Sequence, residues 1–148
     1  EGMRALDIGC GPGFFTIPMA ELVGDTGSVV AVDIQKQMLD LLVTEAQKQG
    51  VSSQIEPHLA NSSGFKIDQP CDFALAFFMV HEVPDKKALF RDVAQSLVPG
   101  GKLLIVEPKG HVSLATFDES IKVAQDFGFK TVDHPKMYFC RTALLQKS

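Results

Sequence analysis

The chain has 148 residues, of which 45% are hydrophobic and 22% charged, so we expect a folded core and exclude intrinsic disorder. The net charge of −4 argues against a nucleic-acid surface, which needs clustered Lys and Arg. No stretch is apolar over the length of a bilayer, and no signal peptide is visible. We therefore expect one cytoplasmic domain, residues 1–148, that neither binds nucleic acid nor spans a membrane.

The three cysteines, Cys10, Cys71 and Cys140, are an odd number at wide spacing. The sequence has no C-x-x-C pair and no Cys/His cluster with zinc spacing, so it predicts no metal site. Small buried thiols in a reducing compartment are the favoured interpretation. The alternative is a reactive or arsenic-binding thiol.

Strand-like and helix-like patterns alternate in the first half of the chain. Short apolar or β-branched runs that stop at turn residues predict buried strands, and apolar residues three and four apart predict helices. The predicted elements are a strand at 3–8, a helix at 14–23, a strand at 28–34, a helix at 35–49, a weaker strand at 53–60 and a loop at 61–70.

The second half continues this alternation and then departs from it. The predicted elements are a strand at 71–78, a helix at 85–98, a strand at 102–107, a helix at 117–127 and two strands at 129–134 and 138–146. Thr116 and Glu119 predict a capping box for the last helix. The alternation predicts an α/β fold with a parallel sheet covered on both faces, and the final two strands predict an antiparallel edge pair.

A glycine-rich loop interrupts the apolar pattern after the first strand, in ALDIGCGPGFFT (5–16). Gly9, Gly11 and Gly13 permit a tight turn and remove Cβ atoms that would keep a ligand away. A dinucleotide-binding loop has G-x-G-x-x-G spacing, whereas this loop has G-x-G-x-G, and Pro12 removes a backbone donor. The spacing therefore argues against a nicotinamide or flavin cofactor.

Two acidic residues accompany this loop. Asp7 precedes it, where the carboxylate would repel a pyrophosphate and attract a cationic ligand. Asp33 ends the next strand, 20 residues after Gly13, where an acid accepts hydrogen bonds from ribose hydroxyls. A nucleoside with a positively charged amino-acid tail suits both acids, and S-adenosylmethionine is such a molecule.

Four motifs occur in order along the chain: LDIGCGPG, VDI, CDFALAFFMVHEVPD and LVPGGKLLIVEP. In them the sequence resembles the class I S-adenosylmethionine-dependent methyltransferases, most of all the small-molecule branch with quinone-biosynthesis and arsenite methyltransferases. The resemblance runs from about Arg4 to the C terminus. It implies a doubly wound, Rossmann-like, mostly parallel seven-stranded sheet of order 3-2-1-4-5-7-6, with an antiparallel C-terminal strand and helices on both faces.

The resemblance also implies which residues bind the cofactor. This set is Asp7, Gly9, Gly11, Gly13, Asp33, Ile34, Asn61 and Phe77. In the family the glycine loop and the end of the fourth strand approach the methionine part of the cofactor. The acid that matches Asp33 binds the ribose, and the residue that matches Ile34 packs on the adenine. Asn61 stands where an acid usually reads the adenine amino group. Its carbonyl oxygen can accept the same bond, but a turn residue is the other interpretation.

Methyl transfer from a sulfonium needs no acid for the leaving group, and a base helps only if the acceptor loses a proton. His81 follows the fourth strand at the rim of the expected cleft and is the candidate base. Glu107 and His111 lie at the same predicted edge. The alternative for His81 is a structural role through a backbone hydrogen bond.

The predicted function is S-adenosylmethionine-dependent methyl transfer to a small-molecule acceptor. Two alternatives stay open: a non-catalytic cofactor-binding module of the same fold, and a nicotinamide-dependent oxidoreductase. The chain starts at Glu1, directly before a strand, so we expect that the N-terminal helices which cover the acceptor site in the family are not among these residues. The sequence predicts neither the acceptor nor the oligomeric state.

Overall fold

A seven-stranded sheet and four α-helices make up the molecule, which is described for all residues, 1–148, by a computed structural model. The strands are β1 (Arg4–Ile8), β2 (Ser28–Asp33), β3 (Ile55–Leu59), β4 (Cys71–Phe77), β5 (Leu97–Pro108), β6 (Phe129–Asp133) and β7 (Cys140–Lys147). The helices are α1 (Thr16–Val23), α2 (Lys36–Gln49), α3 (Lys86–Ser96) and α4 (Leu114–Asp126). Two short 3-10 turns, Ser52–Gln54 and Val80–Glu82, precede β3 and α3.

The strand order is β3-β2-β1-β4-β5-β7-β6. The first five strands in this order are parallel, and β7 is antiparallel to both β5 and β6. The predicted α/β fold, its strand order and its antiparallel edge pair are therefore confirmed. In β2, Val29 and Val30 are no more than 2% exposed, as expected for a parallel strand that is covered on both faces.

Two hydrophobic clusters lie on opposite faces of the sheet. Ala5 and Leu6 are neighbours in β1, point to opposite faces and belong to different clusters. The smaller cluster contains Leu42 and other side chains of α1 and α2, and the larger one contains Phe90 and other side chains of α3 and α4. The helices thus cover both faces. None of them combines the length and the apolar composition needed to cross a bilayer.

Two predicted boundaries differ from the structure by more than two residues. Helix α4 begins at Leu114, because the hydroxyl of Ser113 accepts a hydrogen bond from the N–H of Thr116 and caps the helix. The predicted capping box at Thr116 is therefore wrong. Strand β5 begins at Leu97, which pairs with Cys71 before the register shifts.

Gly13 shows why the loop after β1 requires glycine. Its φ is +105°, a conformation that other residues rarely adopt. A Cβ atom at this position would lie 2.5 Å from Cδ1 of Leu42 on α2. Because Leu42 is fully buried in the cluster beneath α2, it has no room to move away. Glycine therefore lets the loop pack directly on α2.

Gly13→Ala is expected to lower the free energy of unfolding by about 2–6 kcal/mol, since backbone strain and overpacking each cost about 1–3 kcal/mol. Urea unfolding followed by circular dichroism measures this change. Gly110→Ala is the matched control, because a Cβ there meets no atom within 4 Å. Equal stability of the two variants would contradict the packing argument.

Candidate functional site

The ends of four parallel strands meet at one edge of the sheet. Asp7, Asp33, Phe77 and Glu107 occupy the last or next-to-last positions of β1, β2, β4 and β5. These strands are neighbours in the order β2-β1-β4-β5, so their carboxyl ends form the edge where ligands of open α/β sheets bind. Three of the four strands carry a carboxylate there.

The carboxylate of Asp33 holds the glycine loop in place. Its Oδ2 accepts a hydrogen bond of 2.9 Å from the N–H of Gly11, and its Oδ1 accepts one of 2.8 Å from the N–H of Gln35. The N–H groups of Gly9 and Cys10 both donate to the carbonyl of Val32, at 2.8 and 3.0 Å. The loop is therefore anchored to the end of β2. Each oxygen of Asp33 keeps a lone pair for a further donor.

Open space lies above the middle of the loop. A Cβ atom built on Gly11 would meet no atom within 4 Å, and the φ of this residue is +54°. Asp33 is partly exposed beside it. The loop therefore has room for a ligand at the point where the Asp33 carboxylate offers acceptors.

Asp7 lies beneath the same loop and is almost fully buried, at 2% exposure. Its Oδ2 accepts a 2.6 Å hydrogen bond from the hydroxyl of Thr16, the first residue of α1. Burial raises the pKa of Asp7 to about 6; the bond from Thr16 opposes the rise and the charge of Asp33 adds to it. A cationic ligand group near this edge would compensate the buried charge.

The two residues predicted to bind adenine have exposed side chains. Ile34 follows β2 and is 61% exposed. Asn61 pairs through its backbone with Gly64, and its Oδ1 accepts a 2.8 Å hydrogen bond from the N–H of Ser63. This is the geometry of the turn that the sequence also allowed for Asn61. The adenine role of both residues stays a prediction.

Phe77 belongs to an aromatic cluster at the end of β4. Its ring centroid lies 4.2 Å from that of Phe15 and 4.2 Å from that of Phe78. Phe14 extends the cluster, 5.0 Å from Phe15, and is 78% exposed. Since Phe15 immediately precedes α1, the cluster connects the glycine loop with the end of β4. It forms an apolar wall beside the loop.

Met79 packs on the glycine loop. A Cβ atom on Gly9 would lie 3.1 Å from Cβ and 3.2 Å from Cγ of Met79. The 3-10 turn Val80–Glu82 follows directly, so it is tied to the loop through this contact. Glycine at position 9 thus allows the segment after β4 to approach the loop closely.

His81 lies in this turn and bonds to Glu107. Its main-chain N–H donates to Oε2 of Glu107 at 3.0 Å, and its ring Nδ1 lies 2.9 Å from the same oxygen. The ring Nε2 lies 3.9 Å from Oε1 of Glu82, and the His81 side chain is 23% exposed. His81 therefore has a structural role, but its partner is the carboxylate of Glu107 and not a backbone group, which the sequence did not predict.

The sequence missed Thr16 as a contributor to this edge, and it placed Met79 in the acceptor pocket or the core without predicting its contact with Gly9. A hydroxyl at the start of a helix that follows a buried acid is the signal that could have identified Thr16. Nothing in the sequence predicts that Met79 contacts Gly9, because this contact depends on the approach of two separate segments.

A groove of about 780 Å³ lies farther along the same edge, between the end of β5, the start of α4 and the β6–β7 loop. Its aromatic residues include Tyr138 and Phe139, which are 94% and 84% exposed. The cationic residues of its wall are Lys109, Lys136, Arg141 and, when protonated, His134, and Asp118 is its acid. The groove therefore combines apolar surface with positive charge.

The pH dependence of stability tests the burial of Asp7. The native pKa lies above the ordinary value of 3.8, so the stabilisation linked to Asp7 falls as pH rises from about 4 to about 6. Asp7→Asn lacks this titration. The stability of the wild type minus that of the variant, measured by urea unfolding, should therefore fall by at most about 3 kcal/mol over this range. A difference that does not change between pH 4 and 7 would contradict the raised pKa.

Comparison with known proteins agrees with this geometry. The family model described as "Methyltransferase domain" matches residues 5–101. The ubiquinone/menaquinone biosynthesis C-methyltransferase UbiE of Shewanella oneidensis is 35% identical over 132 residues, which are 86% of this chain and 53% of that protein. The chain thus spans about half the length of the curated relatives it matches.

Two solved structures show the same fold. An S-adenosylmethionine-dependent methyltransferase from Aquifex aeolicus matches 100% of this chain and 84% of its own, with a TM-score of 0.87 and 22% identity. The [4+2]-cyclase SpnF matches 90% of this chain and 54% of its own, with a TM-score of 0.77 and 19% identity. With its family-model match and its glycine loop at the end of β1, the chain belongs to the class I S-adenosylmethionine-dependent methyltransferases.

Proposed function

We propose that the protein of this chain binds S-adenosylmethionine at the glycine loop and transfers its methyl group to a small-molecule acceptor. The observation that carries the proposal is the loop itself: it is anchored by Asp33, and the space above Gly11 is open. The family match favours this function over the nicotinamide alternative, which the G-x-G-x-G spacing already disfavoured.

The residues at this edge fit the cofactor. The remaining lone pairs of Asp33 suit the ribose hydroxyls, and the open space above Gly11 suits a ligand lying against the loop. The buried carboxylate of Asp7 suits a nearby positive charge. We assign Ile34 and Asn61 to the adenine and Phe77, with Gly9 and Gly13, to the methionine part.

When bound, S-adenosylmethionine supplies a methyl group on positively charged sulfur, which accepts the electron pair of the broken bond. The protein then has to hold the acceptor in line and exclude water. The aromatic cluster around Phe77 supplies an apolar wall for this purpose. We propose His81 as the base that removes a proton from the acceptor.

The groove lined by Tyr138 and Phe139 favours an acceptor that is partly apolar and carries negative charge. Its wall contains Lys109, Lys136 and Arg141 but one acid, although the chain as a whole has a net charge of −4. This net charge also supports the prediction that nucleic acid is not the acceptor. The cytoplasmic location stays a prediction, supported by three free cysteines.

A non-catalytic cofactor-binding module is the second candidate. The [4+2]-cyclase SpnF has the same fold and is not named a methyltransferase, so the fold by itself does not decide in favour of methyl transfer. Such a module would bind the cofactor but consume none in the presence of any acceptor.

Asp33→Asn is expected to weaken S-adenosylmethionine binding at least about tenfold, since one oxygen is lost that bonds the loop and can bond the ribose. Isothermal titration calorimetry measures the dissociation constant. Asp40→Asn is the matched control, because Asp40 lies exposed on α2 in an ion pair with Lys36. Unchanged affinity of Asp33→Asn would exclude the ribose assignment.

His81→Gln is expected to lower kcat by about 10²–10⁴-fold and to leave cofactor affinity unchanged, because a positioned base contributes rate rather than binding. Release of S-adenosylhomocysteine with a panel of hydroxyaryl acids identifies an acceptor and measures kcat. His111→Gln, an exposed histidine near the end of β5, is the control. Full turnover by His81→Gln would remove His81 from the mechanism, and no turnover by the wild type would favour the non-catalytic module.

A further inference from the structure

Glu107 is a buried carboxylate whose hydrogen bonds all come from one residue. It is 2% exposed, and its Oε2 receives both the main-chain N–H and the ring Nδ1 of His81. Its Oε1 is buried and has no hydrogen-bond partner. Arg141 lies opposite Glu107 in the β5–β7 pairing, but its Nε donates to the carbonyl of Val112 instead.

Stability alone does not explain this residue. Leu103 and Ile105 point to the same face of β5 and are fully buried, so an apolar side chain is the ordinary choice for the next position on this face. A carboxylate buried there loses its hydration, and one of its oxygens regains no hydrogen bond. Buried charges of this kind are common at functional sites, and the residue that this one contacts is His81.

The ring contact determines which nitrogen of His81 carries the proton. An ionised carboxylate only accepts hydrogen bonds, so Nδ1 must be the donor at 2.9 Å. The neutral ring then has its lone pair on Nε2, which faces away from Glu107 and lies 3.9 Å from Oε1 of Glu82. The second bond, to the main-chain N–H of His81, fixes the position of the turn as well.

We propose that Glu107 is a positioning residue that keeps the proton of His81 on Nδ1 and leaves Nε2 free as the base. This proposal rests on the proposed methyl transfer. The X–H bond of the acceptor breaks, its proton goes to Nε2, and its electron pair forms the new bond to the methyl carbon. The electron pair of the broken carbon–sulfur bond stays on sulfur. The resulting imidazolium keeps its 2.9 Å contact with the buried carboxylate of Glu107, which stabilises its charge, whereas the carboxylate of Glu82 is exposed and 3.9 Å away.

Nitrogen-15 NMR of the wild-type chain tests the proposal without any acceptor. The chain has four histidines, and the resonances absent from His81→Gln identify His81. Long-range proton–nitrogen correlations distinguish the two neutral tautomers. We expect the Nδ1–H form in the wild type, and an Nε2–H form would overturn the proposal, because Glu107 would then not be accepting the ring proton.

Variants of the two flanking glutamates make the test specific. Glu107→Ala should lose the preference for Nδ1–H, while Glu107→Gln, whose amide oxygen still accepts a hydrogen bond, should retain it. Glu107→Gln should nevertheless lower kcat about tenfold without changing KM, because no negative charge then faces the imidazolium. Glu82→Gln is the matched control and should keep the tautomer and change kcat less than about twofold, since its carboxylate is exposed and more distant.

Unchanged tautomer populations in Glu107→Ala would overturn the proposal, as would a larger kcat loss in Glu82→Gln than in Glu107→Gln. If Glu107→Ala does not fold, the wild-type spectrum and Glu107→Gln carry the test. Calorimetric titration with S-adenosylmethionine separates the two proposals. A chain that does not bind the cofactor but shows the Nδ1–H tautomer would contradict the proposed function and leave the Glu107–His81 assignment intact.

Discussion

The parallel pairing of β1 with β2 and β4 is the constraint on which the rest of the structure depends. It brings the last residues of strands that are far apart in sequence to one edge. Asp33 can then hold the N–H of Gly11, and the carbonyl of Val32 can hold the N–H groups of Gly9 and Cys10. The loop is therefore shaped by the neighbouring strand as much as by its glycines. A ligand meets a surface that is already formed, which reduces the entropy lost on binding.

Two buried carboxylates lie at this edge, on opposite faces of the sheet. Asp7 lies on the face covered by α1 and α2, with Thr16 as its partner, and Glu107 lies on the face of α3 and α4, with His81 as its partner. Both cost stability through desolvation, and each is only partly compensated by its partner. The proposed function gives each charge a use: Asp7 faces the cationic cofactor, and Glu107 supports the base on the acceptor side.

Features that depend on local patterns were predictable from the sequence. Hydrophobic periodicity predicted the element types, and the apolar runs before Asp7 and Asp33 predicted that both residues lie at strand ends. The strand order is not a local feature, and it was predicted from the resemblance to a known family. The cap at Ser113 was missed because Thr116 and Glu119 match the capping-box pattern, and only the geometry shows that the helix already begins at Leu114. The bond between His81 and Glu107 was missed because it joins residues 26 positions apart. For His81, the bonds to Glu107 and the proposed role as a base are compatible, since the ring contacts Glu107 through Nδ1 and keeps Nε2 for a proton.

The contact between Gly9 and Met79 has a consequence for how such a chain can evolve. Any side chain larger than hydrogen at position 9 meets the Cβ and Cγ atoms of Met79, so substitution there displaces the segment that carries His81. A substitution in the glycine loop therefore also shifts the turn that contains His81. A smaller residue at position 79 would not make room, because the φ of Gly9 is +69° and the nearest atom is the Cβ of Met79, so glycine is the residue expected at position 9.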